Sequence, residues 1–489
     1  MKKLAHILLL SFILAACAGV PSEGDVQETQ KIAITHVNLV PMTTEIILAN
    51  QTVLIEGTRI AAVGPADEIK IPKNATIIDG TGAYLMPSLA DMHMHTMPNW
   101  DEQFPISPFV LYLANGVTTV RNLDPRPDTE HETISPDYVL AWRDEIQNGS
   151  RPGPTMYTTG ISLQGPNDWK PIVFEAGDAE KVVQQNVDGG YDFLKIFEFF
   201  PAAHFAEVMA AAQEQGMYVI GHIPMEVGLE AAVNGGMDEI AHVIPILYWE
   251  RTNVYVQGMT RNEFMQAWQQ KYLAQWDGVD PETWYAREKE NIAEIVEIIR
   301  SNGVNVCTTG VGPDITRDLI TNYDSFIERV DMQYARRRYL DLIAHGEDSS
   351  QKAFSQNPGL VDIFIYERDV WIRELHNVGV TLIAGTDSGF GQGLVPGFSL
   401  HGELFALVDA GLTPYEAIAT STVNASRVVE QMIGVDDFGT IEVSKRADLI
   451  LVGGNPLEDV TNIQDIRGVM AAGRWYSHET LDEMLLLEE

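Results

Sequence analysis

The run Leu85-Met86-Pro87-Ser88-Leu89-Ala90-Asp91-Met92-His93-Met94-His95 carries an apolar segment into two closely spaced histidines. Leu85, Pro87, Leu89 and Ala90 read as a short buried strand, and on a strand residues i and i+2 point to the same side. His93 and His95, two of only 12 histidines in the chain, can therefore hold one ion together. A pair of ordinary turn histidines has the same spacing, so the decision rests on what the remaining sequence supplies.

Outward from this stretch, the middle of the chain alternates strands with helices, the pattern of a parallel sheet covered by helices. Strands are expected at 89–93, 117–121, 155–159, 193–197, 218–222, 239–243, 304–308 and 381–386. Their number is that of a (β/α)8 TIM-like barrel. Between them, 202–215 places Phe205, Val208, Met209 and Ala212 on one helical face and stops at Gly216. Asp280-Pro281-Glu282 offers an N-cap, a proline in the first turn and an acid beside it, opening a helix that runs toward Gly303. The long connection from 244 to 301 carries Trp249, Tyr255, Trp268, Tyr272, Trp276, Trp284 and Tyr285. Packing on helix faces accounts for these aromatics; lying over the barrel mouth is the alternative.

The two ends of the mature chain are β-rich. Strands are expected at 32–40, 52–56, 59–63 and 75–79, punctuated by Gly57, Gly64, Gly80 and Gly82, and again at 439–441, 447–452 and 468–475. Residues 31–84 and 436–489 are thus expected to form one small β-sandwich built from both chain ends, flanking a barrel over 85–435.

Before residue 31 the chain has a different character. Lys2-Lys3, an apolar run over 8–14, then Ala15-Ala16-Cys17 has the layout of a secretory signal peptide, too short for a comfortable membrane span. Leu14-Ala15-Ala16-Cys17 resembles the bacterial lipobox, in which the cysteine becomes the lipidated first residue. The resemblance implies a signal peptide over 1–16, lipidation at Cys17 and a flexible tether over 17–30. Ala18 after the cysteine, in place of Asp, implies an exported lipoprotein of the outer membrane, facing the periplasm or the exterior. Cys307 is then the one cysteine left, so no intramolecular disulfide is possible. A formal charge of −37 argues against a nucleic-acid partner. An acidic surface suits solubility; the expected contacts are a small-molecule substrate and, through the lipid alone, a membrane. No motif specifies an oligomeric state.

Active sites of such barrels lie at the C-terminal ends of the strands. His93 and His95 end the first strand, Lys195 stands on the fourth in DFLKIF, His222 ends the fifth in VIGHI, His242 the sixth in EIAHV, and Asp387 the eighth in GTDSG. Imidazoles and a carboxylate are ligands for zinc and related divalent ions, whereas an ammonium has no lone pair to give. Lys195 is the exception in type. Buried beside cations it should be neutral, and a neutral amine can add carbon dioxide to become a carbamate, anionic and with two oxygens to bridge two metals.

This set resembles the binuclear, carboxylated-lysine branch of the amidohydrolase superfamily, in its prolidase-like and imidazolonepropionase-related neighbourhood. The resemblance runs from about 32 to 477 and includes GTGAYLMPSLADMHMH, GVTTVRNL, GHIP followed by GGMDEIAH, AGTDSG, ADLILVGGNPLED and GVMAAGRWY. It implies two divalent ions, zinc being the favoured metal. His93 and His95 would bind the more buried ion, His222 and His242 the more exposed one. Carbamylated Lys195 would bridge them, and Asp387 would complete the first site and shuttle the proton. A hydroxide held between the ions would be the nucleophile. The segment TGISLQGPNDWK lacks the TGGHG-like turn of prolidase-like members, and Glu198-Phe199-Phe200-Pro201 leads straight into a helix without a glycine-rich loop.

Arg121, beside Asn122 at the end of the second strand, is a candidate substrate contact, with a structural role as the rival. Tyr248 and Arg251, just past His242, are candidates to meet a substrate carboxylate. His204 and His401 fall in helical patterns and read as solvated or packing residues. Together these features predict a metal-dependent hydrolase of an amide or peptide-like C–N bond in a small molecule. The alternatives are a lactonase or esterase acting on C–O bonds, since the same nucleophile attacks either carbonyl, and a binding lipoprotein that keeps its metal without turnover.

Overall fold

Strand β1 (Lys31–Leu39) buries Ala33, Ile34, Val37 and Leu39 and pairs antiparallel with β2 (Leu48–Glu56), which returns as β3 (Arg59–Pro65). The two-residue loop between β2 and β3 opens on Gly57 at φ +61°, a conformation that favours glycine. Short strands β4 (Thr76–Asp79) and β5 (Tyr84–Pro87) then run parallel to β1 at different levels of it. The computed structural model describes residues 30–96, 104–125, 137–160, 162–165, 177–243, 259–336, 340, 359–389 and 393–486.

From the end of β5 the chain enters a parallel region. Strand β6 (Leu89–Met94) is followed by β7 (Val117–Asn122) and β8 (Thr155–Thr158), which form a three-stranded parallel sheet. Strands β9 (Phe193–Ile196), β10 (Tyr218–Gly221), β11 (Glu239–Ala241), β12 (Asn305–Cys307) and β13 (Leu382–Ile383) form a five-stranded one, also parallel throughout. Every residue of β6 and β7 is buried, as expected for parallel strands covered on both faces. Parallel bridges connect the two sheets at both ends, Met94 to Ser388 and Thr159 to Phe193. The eight strands fall where the sequence predicts them. The last is shorter than 381–386, because after Ile383 the chain leaves the ladder to reach across to β6.

The helices outside these strands follow their local signals. The helix Ala202–Gln215 buries Phe205, Val208, Met209, Ala211 and Ala212 and ends on Gly216 at φ +66°. The helix Pro281–Ser301 starts from Asp280, whose carboxylate accepts the Thr283 amide. The aromatics of the long connection pack between helices. Trp268 and Tyr272 stack, both rings meet Phe364 of the helix Gly359–Asn377 edge-on, and Tyr272 Oη and Trp276 Nε1 donate to Glu367 at 2.6 and 3.2 Å. Trp249 and Tyr255 lie outside the described residues.

The C-terminal strands β14 (Leu449–Val452), β15 (Ile466–Ala471) and β16 (Arg474–Ser477) rejoin the N-terminal ones, β14 pairing antiparallel with β5. The order is β16-β15-β14-β5-β1-β2-β3, with β4 beside β1. Two expectations are corrected here. Residues 439–441 form no strand; Ile441 gives its amide to Pro41 O and the side chain packs under β1 without a ladder. The run 468–475 is a hairpin rather than one strand, because Ala472 and Gly473 turn at positive φ. Arg446 fastens this sheet to the parallel strands, donating to Asp448 and, at 2.8 Å, to Thr119 Oγ1 of β7.

Candidate metal centre

His93 near the end of β6 and His95 just past it point their Nε2 atoms at one oxygen. Asp387 Oδ1 lies 2.8 Å from His95 Nε2 and 3.3 Å from His93 Nε2. The local backbone brings this about. His93 O accepts the amides of Thr386 and Asp387, and His95 N donates to Ser388 O. Two glycines permit the approach: a Cβ at Gly385 would fall 2.5 Å from His93 Cβ, and Gly389, at φ +120°, would place one 2.3 Å from His95 O. Asp387 itself adopts φ +62°, a conformation that Asp tolerates better than most residues. Beneath them the buried carboxylate of Asp91 accepts the His93 and Thr386 amides and the Thr386 hydroxyl, at 3.2, 3.1 and 2.6 Å. It is an internal brace that the sequence reading did not single out.

His242 and His222 extend the cluster from the other side. Ring centroids lie 4.4 Å apart for His93 and His242, 4.8 Å for His222 and His242, and 5.1 Å for His93 and His95. Burial holds the His93, His222 and His242 imidazoles below the ordinary histidine range, so each keeps the neutral form with a lone pair. Asp387 goes the other way: burial raises it, but His242 and the hydrogen bonds from His93 and His95 more than offset this and hold it well below the usual carboxylate range.

The ring nitrogens remote from the cluster have acceptors that sequence reasoning missed. His222 Nδ1 is 2.6 Å from Glu198 Oε2, and His242 Nδ1 is 2.7 Å from Thr309 Oγ1. The Thr309 hydroxyl gives its own proton to Thr308 O at 2.9 Å, so toward His242 it accepts. Both imidazoles therefore carry their proton on Nδ1 and offer Nε2 as donor atom. Nothing in the spacing of Glu198 or Thr309 marked them; each lies on a different strand end from the histidine it serves.

Lys195 projects from β9 and is 1% exposed, and its Nζ has no hydrogen-bond partner among the described residues. Burial pulls its amine down to about 8. A buried ammonium without a partner would be costly, so the position suits a group that is neutral or converted to an anion. Carboxylate, neutral imidazoles and this amine form a donor set that fits divalent ions, and His93, His95 and Asp387 already have ligand atoms close enough to hold one.

Arg121 does not belong to this set, and of its two readings, substrate contact and structural role, its contacts favour the structural one. Its guanidinium is wholly buried, donating from Nη1 to Glu239 Oε2 at 2.8 Å, from Nη2 to Glu239 Oε1, and from Nε to Met92 O at 2.8 Å. Nε and both terminal nitrogens are engaged inside the parallel strands, as befits a structural ion pair. Asn122 is likewise occupied by Thr96 and Thr158. His401 is a packing residue, hydrogen-bonded to Asn115 O. Tyr248, Arg251 and Cys17 lie outside the described residues. Among the described residues no helix is long and apolar enough to cross a membrane.

A profile of the amidohydrolase family matches residues 358–476, the stretch containing Asp387 and the return to the terminal sheet. This part of the chain, about a quarter of its length, is similar to the amidohydrolase family. An adenine deaminase of Staphylothermus marinus is 39% identical over 94 residues, a stretch amounting to 18% of this chain and 15% of that protein's length. Among solved structures, bottromycin amidohydrolase superposes with a TM-score of 0.65 at 20% identity, covering 94% of this chain and 89% of that one. A Xaa-Pro dipeptidase with bound methionine in its active site gives 0.61 at 18% identity, covering 92% and 100%. At these identities the superpositions bear on the fold, a TIM-like barrel architecture with α/β composition. The match over 358–476 agrees with the resemblance read from the strand ends at Asp387, and the amidohydrolase family generally uses a divalent metal.

Proposed function

We propose that the protein is a metal-dependent hydrolase that cleaves an amide or peptide-like C–N bond of a small molecule. The observation that carries this reading is the convergence of His93 and His95 Nε2 on one oxygen of Asp387, with His222, His242 and Lys195 grouped around them. Similarity of residues 358–476 to the amidohydrolase family supports hydrolysis at carbon–nitrogen bonds. His93 and His95 would hold one divalent ion, His222 and His242 a second, most simply zinc, and Lys195 as its carbamate would bridge them. Bound divalent ions would lower the pKa of a water toward neutrality and polarise a carbonyl. Asp387, ionised and directed into the cluster, takes up the proton of the attacking water and returns it to the leaving amine. The side chain is 29% exposed, which gives substrate a way to it.

The reading treats the two parallel sheets as one closed eight-stranded barrel, supported by the bridges at both seams. It treats the sheet built from both chain ends as a separate small β-sandwich over 31–84 and 436–489. It further takes residues 1–16 as a signal peptide, 17–30 as a tether and Cys17 as a lipid anchor at the outer membrane.

The test is a hydrolysis screen of zinc-loaded protein over dipeptides, N-acyl amino acids, lactones and aryl esters. Release of amine from members of the first two groups, abolished by a chelator and restored by zinc, is expected. Turnover confined to lactones or esters would move the assignment to C–O bonds, and metal uptake with no turnover anywhere would leave a binding protein.

A further inference from the structure

Glu198 stands in the five-residue connection between β9 and the helix Ala202–Gln215, three positions past Lys195. Its side chain is 5% exposed. It holds His222 and its surroundings in two ways. Oε2 receives the ring at Nδ1, 2.6 Å away, and its backbone oxygen receives the amide of Met225, three residues past the ring, at 2.9 Å. The Phe197 ring lies against the same imidazole, with centroids 4.5 Å apart. His222 is thus held in rotation and in tautomer by neighbours contributed by the connection after Lys195.

We propose that Glu198 is a positioning residue that sets the donor strength of His222, making the ion at the His222 and His242 end of the centre depend on a carboxylate it does not touch. This rests on the metal reading above. The two imidazoles differ in what receives their Nδ1 proton: an oxygen of a carboxyl group for His222, a neutral hydroxyl for His242. An anionic acceptor makes the opposite nitrogen a stronger base, and removing such an acceptor generally weakens metal binding by ten- to a hundredfold. Glu198 meets His222 directly, so the effect is expected on the ion at that end of the centre.

The experiment titrates Zn2+ into the purified full chain against a chromophoric chelator, in bicarbonate buffer, for wild type, Glu198→Gln and Glu198→Ala. Thermal unfolding of each protein in excess chelator runs alongside. Glu198→Gln keeps shape and an acceptor oxygen while removing the charge. It is expected to bind one ion as wild type does and the other ten- to a hundredfold more weakly, with its metal-free melting temperature within a few degrees of wild type. Glu198→Ala is expected to lose at least as much. Two ions bound with wild-type affinity by both variants, whatever their melting temperatures, would overturn the proposal and reduce Glu198 to packing. Failure of wild type to take up any zinc would overturn the metal reading and this inference together.

Discussion

His95 Nε2 and Asp387 Oδ1 stand 2.8 Å apart although 292 positions separate the two residues in the chain. The contact is secured by the main chain more than by the side chains. Three backbone hydrogen bonds join 93–95 to 386–388, and Asp91 braces both segments from below. The geometry of the centre at this seam should therefore survive changes to the ligand side chains themselves, which makes them testable one at a time.

Asp387→Asn is the sharpest of these tests. Asn keeps the shape, an oxygen and a tolerance for the left-handed backbone found there, but cannot carry a proton at neutral pH. Turnover should fall by orders of magnitude while most of the metal remains, held by five other groups. Zinc analysis beside kinetics checks it; a variant with full metal and full rate would remove Asp387 from the chemistry.

Lys195 links the site to pH. Burial lowers its amine from 10.5 to about 8 in the folded protein, so between those values the unfolded chain holds a proton that the native one has released. Stability of the metal-free protein should then rise with pH across about 8 to 10.5, by ~3 kcal/mol from this group. Urea unfolding in chelator and carbon dioxide-free buffer measures it. Lys195→Met should flatten that part of the profile, and an unchanged slope would mean that Lys195 is not the group responsible.

Arg121 should behave as a structural residue. Arg121→Met leaves Glu239 buried without its charge partner, and breaking a buried pair in this way costs about 3–5 kcal/mol. Replacing both members, Arg121→Met with Glu239→Leu, should recover much of the loss. Denaturant midpoints give the stability, and KM on the substrate found by screening should hardly move. A variant of normal stability with a raised KM would restore Arg121 to the substrate contacts.

Cys17→Ser tests the anchor. Wild type expressed with residues 1–16 in a Gram-negative host should fractionate with membranes, and the variant should not. Wild type found wholly in the soluble periplasmic fraction would remove the lipidation proposal.

Strand positions were legible because parallel strands buried on both faces leave short apolar runs bounded by glycine, and ligand-type residues stood out at their ends. What escaped reading was contact between segments far apart in sequence. Arg121 read as either a substrate contact or a structural residue, and the partner that decides between them, Glu239, is 118 positions away and carries no sign of facing inward. Glu198 and Thr309 were invisible as acceptors for His222 and His242 for the same reason. Residues 439–441 have strand-like composition, but a strand needs a neighbour with a free edge, and composition does not report whether one is there.

The pairing of β5 with β14 joins Tyr84–Pro87 to Leu449–Val452, so the sheet that β1 begins is finished only when nearly the whole polypeptide has appeared. A chain cut short before β14 would leave the backbone groups of β5 exposed along that side, open to pairing with any other extended segment. During synthesis the same edge waits for the interval in which the barrel strands are made. Premature termination is therefore expected to be more harmful than loss of the same number of residues from a surface loop, with insoluble aggregates as its outward sign.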